Sequence, residues 1–232
     1  GPNINTVVQS VTFPAMAEFA DDTERLRANF KRILMSTSLL SIYLSLLIAA
    51  CARALILTLI GEKWAESIPY LQLLCFATML FPVHALNLNM LKVKGRSDLF
   101  LRLEVVKKLL AIPAILIGIS YGIIAMILMK IISSIVALYI NAYYSAKLIS
   151  YPPTVQLMDI TKSIVLSLSV IFPVYLFAQT VDLRPSYELS SQVFIGLIGG
   201  ICIIMFSKNT GATELKQITL EYVRKMKNKL HR

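Results

Sequence analysis

The sequence predicts an all-α fold, a polytopic bundle of membrane-spanning helices. Hydrophobic residues make up 56% of the 232 positions and charged ones only 16%, and the mean hydropathy is +0.69; an ordinary soluble domain is far less apolar. Apolar runs of spanning length follow one another along the chain, separated by short loops. The Lys and Arg residues collect in alternate loops, as a threaded bundle requires.

A hydrocarbon core takes about 20 apolar residues of helix. That length predicts six full spans, at Ile33 to Ala52, Ile68 to Leu91, Val105 to Ser120, Ile123 to Ser145, Ser163 to Ala178 and Leu189 to Phe206. The run from Ile33 to Ile60 is too long for one level helix and too short for two, so it reads as one span continued by a tilted or interfacial segment, with Arg53 snorkelling to the outer head groups. Before the first span, Asn5 to Phe19 reads as the end of another membrane helix, and a fragment of a longer protein is implied. Its Gln9, Ser10, Thr12 and Pro14 suit a cavity wall better than a lipid-facing side.

Loop charge sets the orientation. Arg25, Arg27, Lys31 and Arg32 precede the first span, the cluster from Lys92 to Lys108 separates the second from the third, and Lys147 and Lys162 flank a later loop. The opposite loops, Gly61 to Ser67, Ser120 to Gly122 and Gln179 to Glu188, hold only Lys63 and Arg184 as cations. Short basic loops stay cytoplasmic, which places the C-terminus in the cytoplasm. After Phe206, Leu215, Ile218, Tyr222 and Met226 form an apolar helical face opposite cations, either an inner-leaflet helix or a basic stop that pins the last span.

The formal charge of +10 does not point to nucleic acid, because the cations lie in loops between spans rather than on one soluble face and no recognition motif accompanies them. Membrane lipid is the partner such loops suit. Cys51, Cys75 and Cys202 sit in apolar runs without CxxC spacing and read as small buried hydrophobes. Gly1 to Ile4 has no basic region of a signal peptide.

Catalytic chemistry is not legible. His84 and His231 are the only histidines, and no metal-ligand spacing, nucleophile elbow, P-loop or dinucleotide fingerprint is present. Nearly all carboxylates lie in loops beside Lys or Arg. No catalytic residue, metal site or cofactor is expected, and the chain does not read as an enzyme.

Polar groups inside spans are the candidate substrate-binding residues, because burying them in hydrocarbon is costly. Lys130, Ser134, Ala137 and Asn141 recur at helical spacing and form one narrow stripe. Two readings stand for Lys130: it faces a wet cavity where a cation could hold phosphate groups, or it snorkels to the interface. His84 and Asn87 share a face of the second span with Leu91, above a kink expected at Pro82. For His84 the alternatives are an interhelical hydrogen bond and a titrating role. Pro113 and Pro173 break two more helices, and Gly196, Gly199 and Gly200 allow close packing of the last span.

Several stretches together resemble a known family. They are Gly1-Pro2 through Val11 to Ala17 followed by Asp21-Asp22-Thr23-Glu24-Arg25-Leu26-Arg27; Gly61-Glu62-Lys63-Trp64 with Ile68 to Gln72; Lys94-Gly95-Arg96-Ser97-Asp98 through Arg102, Glu104 and Lys107-Lys108; and Gly118 to Ile123 before Tyr143-Tyr144-Ser145-Ala146-Lys147-Leu148. In order and spacing they are similar to the Wzx-type polysaccharide flippases of the MATE-like superfamily, which export O-antigen, colanic acid and exopolysaccharide units. Residues beyond Tyr151 match only as two more spans.

The resemblance implies the C-terminal half of a fourteen-helix transporter of the bacterial inner membrane. Residues 1–150 would be the C-terminal lobe, 151–206 a terminal helix pair and 207–232 a basic cytoplasmic tail. It implies an oligosaccharide linked to undecaprenyl diphosphate as substrate, an N-terminal lobe as missing partner, and inactivity of the fragment alone. The alternatives are an integral-membrane transferase of envelope biosynthesis, which would need clustered Asp, Glu or His at a membrane face, and a non-catalytic membrane scaffold.

Overall fold

The computed structural model describes residues 13–220 other than 15, 182, 208 and 218. Among the described residues the regular structure is helical. The long elements are α1 (Thr23–Ala50), α2 (Ala52–Leu59), a 3-10 segment (Glu62–Ser67), α3 (Ile68–Thr78), α4 (Phe81–Val93), α5 (Ser97–Tyr121), α6 (Ile123–Ile149), α7 (Pro153–Thr180) and α8 (Pro185–Phe206). Residues 210–217 add a short helix after them.

Local chemistry sets most boundaries. Asp22 caps α1 by accepting from the Arg25 amide at 3.0 Å, and Glu24 in the first turn complements the helix dipole. Gly61, at φ +99°, stops the chain after α2 in a backbone region that side chains disfavour. Pro82 cannot continue a helix from the preceding turn, so the expected second span divides at Met79 and Leu80 into α3 and α4. Gly95, at φ +68°, ends α4, with the Arg96 amide donating back to the Leu91 carbonyl at 2.8 Å.

Five segments are long and apolar enough to cross a membrane: α1, Glu62–Val93, α6, α7 and α8. The protein is a multi-pass membrane protein. Six full spans were expected, and α5 is the exception. Glu104, Lys107 and Lys108 intrude on it, leaving 109–121 free of charge, about 20 Å of helix against a core of about 30 Å. This short apolar arm is carried as a hairpin against α6, turning at Gly122.

Helix α1 is central, packing against α3, α4, α6, α7 and α8. Leu26, Phe30, Leu34 and Ile42 on it are fully buried, and the small Ser38 lies 3.3 Å from Ser163 of α7, hydroxyl to hydroxyl. Lipid tails are as apolar as leucine, so close fit and such polar contacts hold the helices together rather than escape from water. The α8 glycines serve this fit: a Cβ on Gly196 would stand 2.4 Å from Leu47, and one on Gly199 2.2 Å from Val170. The Tyr43 hydroxyl donates to the Gly196 carbonyl. Outer faces of α6 and α8 leave Ile132, Ile135, Phe194 and Ile201 exposed. Cys202 is exposed there too, unlike buried Cys51 and Cys75.

The segment after α8 differs from expectation. Its start docks on α1 instead of lying free on a lipid surface: Gly211 sits against the Met35 backbone, Ala212 is buried, and Arg32 pairs with Glu214 at 3.3 Å. A glycine and an alanine permit that approach. The rest of the expected tail face, Ile218, Tyr222 and Met226, lies outside the described residues, as do His231 and the polar Gln9, Ser10 and Thr12.

Candidate functional site

Helices α3, α4, α5 and α6 border a cavity of about 430 Å³. Small residues make the room: Ala111 and Ala114 on α5 face Ala137 on α6. Most of the wall is apolar, including Leu74, Ile115 and Met126. The polar groups converging on it are His84, Lys107, Lys130, Ser133 and Ser134, and no carboxylate among the described residues lines it.

The stripe on α6 brings Lys130, Ser134 and Ala137 to this cavity, with Lys130 Nζ 5.7 Å from the Phe81 ring centroid, within cation–π range. The break before α4 sets Phe81 and His84 on the facing wall. Lys107, on the third wall, pairs with Glu104 one turn before it. Its role was hidden in the basic loop, yet Lys107, Leu110, Ala111 and Ala114 share one helical face. Ser133 donates to the Leu110 carbonyl at 3.2 Å and ties α6 to α5.

Buried His84 bridges two α6 side chains. Its Nδ1 lies 3.2 Å from the Asn141 amide nitrogen and its Nε2 3.0 Å from Ser134 Oγ. An amide nitrogen can only donate, so Nδ1 accepts and the proton is assigned to Nε2, which donates to Ser134. Asn141 itself stands behind the cavity wall, buried, with its carbonyl oxygen unpaired among the described residues.

Asn87 lies away from the cavity, in a second network. It accepts from Ser145 at 2.5 Å and donates to the Val83 carbonyl. Gln156 donates to the Tyr151 carbonyl at 3.0 Å, and the Tyr151 hydroxyl donates to Asp159 at 2.6 Å. Lys162 and Lys31 complete the Asp159 shell at 3.0 Å and 3.4 Å. Burial pushes the Tyr151 phenol well above its ordinary range, and the Asp159 carboxylate adds to the shift. The cluster joins α1, the α6–α7 loop and α7.

Arg53 does more than snorkel. It donates to Glu188 of α8 at 2.7 Å, and that carboxylate is only 3% exposed. Nearly all carboxylates were expected in loops beside Lys or Arg; Glu188 and Asp159 are buried on helices instead, and each is acceptable there because a cation reaches it. Gln192, one turn on, donates to the Ala50 carbonyl at 3.4 Å, so α8 is tied to the α1–α2 junction twice.

Comparison with known proteins gives the site a context. Residues 2–69 match the family described as polysaccharide biosynthesis protein. Over 115 residues the chain is 36% identical to the lipopolysaccharide biosynthesis protein WzxC of Escherichia coli (strain K12), covering 50% of this chain and 23% of the relative. The chain is thus similar to WzxC over half of its length. It is also 33% identical over 112 residues to an uncharacterized membrane protein in the cps region of Klebsiella pneumoniae, over 48% of this chain and 23% of that one. Identity to the teichuronic acid biosynthesis protein TuaB of Bacillus subtilis (strain 168) is 30% over 96 residues, 41% of this chain and 20% of that protein. The match spans only 20–23% of the length of these relatives. No solved structure matches.

Proposed function

We propose that this chain is part of a transporter that flips lipid-linked oligosaccharides across the bacterial inner membrane for polysaccharide biosynthesis, with its basic end in the cytoplasm. The relatives named for lipopolysaccharide and teichuronic acid biosynthesis support the pathway class. The observation that carries transport is the cavity inside the apolar bundle, where Lys130 and Lys107, the latter paired with Glu104 outside the lining, approach from different helices.

Sugar hydroxyls and a diphosphate lose hydration in hydrocarbon at a prohibitive cost. A polar path between two lobes removes that cost while a prenyl tail stays in lipid. Lys107 and Lys130 hold the diphosphate by charge, Ser133 and Ser134 supply neutral donors and acceptors, and His84 offers a group that could exchange a proton with them. Asn141 positions the His84 ring. A chain that supplies only one wall of the path does not export alone, and a second lobe is its partner.

The test uses the full-length gene in a strain deleted for it, with surface polysaccharide and cytoplasmic-leaflet lipid-linked oligosaccharide measured per transporter. Lys107→Gln with Lys130→Gln should lower export about tenfold or more, as lost charge-assisted contacts predict, and lipid-linked intermediate should accumulate. Lys130→Arg should keep most export because the charge survives. Parental export by the double variant at equal membrane abundance would remove this cavity from the path.

A further inference from the structure

A second cavity, of about 440 Å³, lies between α5 and α6 and is separate from the first. Arg102, Val106, Tyr139, Ile140, Tyr143 and Tyr144 line it. The Tyr143 and Tyr144 rings stand 5.5 Å apart at 86°, forming two sides of an aromatic corner. Lys147 Nζ lies 4.4 Å from the Tyr143 ring centroid, which brings a second cation to the rim. Arg102 is exposed and makes no ion pair or hydrogen bond among the described residues, while Glu104 nearby is engaged by Lys107. Among the described residues no carboxylate lines the cavity.

Depth identifies the environment. From the hairpin turn at Gly122, Tyr143 is about 30 Å along the spanning helix α6, at 1.5 Å per residue, and Arg102 lines the same cavity beside it. That is about one hydrocarbon thickness, so the aromatic corner stands at head-group level at the basic end. Toward the middle of the membrane the same faces continue as exposed Val105, Leu109, Ile132, Ile135 and Val136, an apolar track of the kind acyl chains cover.

We propose that this α5–α6 groove binds an anionic phospholipid, its phosphodiester held by Arg102 and Lys147 and its acyl chains lying along the hairpin. A guanidinium offers paired donors to a phosphate and the ammonium adds charge. Tyrosine hydroxyls at the corner supply further donors. Basic pockets between membrane helices at head-group depth have the chemistry that anionic lipids need. Among the described residues the cations here make no ion pair, unlike Arg53 and Lys107, which already have theirs. The inference is independent of the transport reading: it concerns a different cavity and needs no sugar.

The test is lipid retention by the purified protein, measured by native mass spectrometry from equimolar phosphatidylglycerol and phosphatidylcholine. The parent should retain phosphatidylglycerol about tenfold more than phosphatidylcholine, and Arg102→Gln with Lys147→Gln should bring the ratio near one. Val106→Trp, which fills the groove and keeps both cations, should do the same, and it decides the matter if the double variant fails to fold. Lys216→Gln, on the tail, should leave the ratio unchanged. Equal retention of the two lipids by the parent, or parental preference in both groove variants, overturns the proposal. Displacement of the lipid by millimolar inorganic phosphate would overturn it too, since a free-phosphate site needs no acyl track.

Discussion

Removing Arg53 should cost more stability than removing Arg53 and Glu188 together. The Arg53 side chain is 53% exposed and the Glu188 side chain 3%, so the two ends of this 2.7 Å pair respond differently to loss of the partner. Breaking a buried ion pair costs about 3–5 kcal/mol because the remaining charge has no water to return to. Glu188 meets that condition in Arg53→Gln, but the half-wet arginine makes the starting interaction weaker, and about 2 kcal/mol is the discounted figure. Glu188→Gln leaves Arg53 able to hydrate and to donate to the new carbonyl, at a cost of about 1 kcal/mol. The double variant has no buried charge and should lose only about 1 kcal/mol, which recovers about half of the Arg53→Gln loss and makes a favourable coupling of about 2 kcal/mol. Trp64, the one tryptophan in the chain, lies in the 3-10 segment that packs on α2 and reports thermal unfolding in detergent by fluorescence. At about 2–4 °C per kcal/mol for a chain of this size, Arg53→Gln should lower the midpoint by about 4–8 °C. Additive losses, or a silent Arg53→Gln, would refute the reasoning and return Arg53 to the head groups.

Two further outcomes are expected. In the full-length protein, cysteine placed at exposed Ser97 should label from the cytoplasmic side and cysteine at exposed Ser186 from the opposite side; labelling of position 97 from outside would invert the topology. Gly211→Val should destabilise by about 1–3 kcal/mol, the range for forced overpacking, because a Cβ there meets the Met35 carbonyl oxygen at 2.5 Å and backbone cannot step aside as a side-chain tip can. Limited proteolysis of the segment after α8 should accelerate in that variant, and unchanged cleavage with an unchanged midpoint would show that Gly211 is not held against α1.

Hydropathy and loop charge by themselves determined that this is a helical membrane bundle, because a span's length and the cations beside it are properties of one stretch of chain. Pro82 was equally legible, since a missing amide hydrogen acts within a few residues, but Pro113 and Pro173, expected to break two more helices, lie inside continuous α5 and α7. The Lys130–Ser134–Ala137 stripe was readable too, since helical periodicity puts those side chains on one face whatever that face meets. What it meets was decided only by the tertiary structure. Each residue turns the helix by about 100°, so rotation of one helix against its neighbour determines whether His84 finds Asn141 or lipid, and whether Lys107 joins Lys130 or stays a loop cation. The same holds for Arg53, whose partner lies 135 positions away, and for Gly211, whose place on α1 requires the chain to return from α8. Such pairings depend on the relative azimuth and depth of separate helices, which no local pattern of apolar and polar residues encodes.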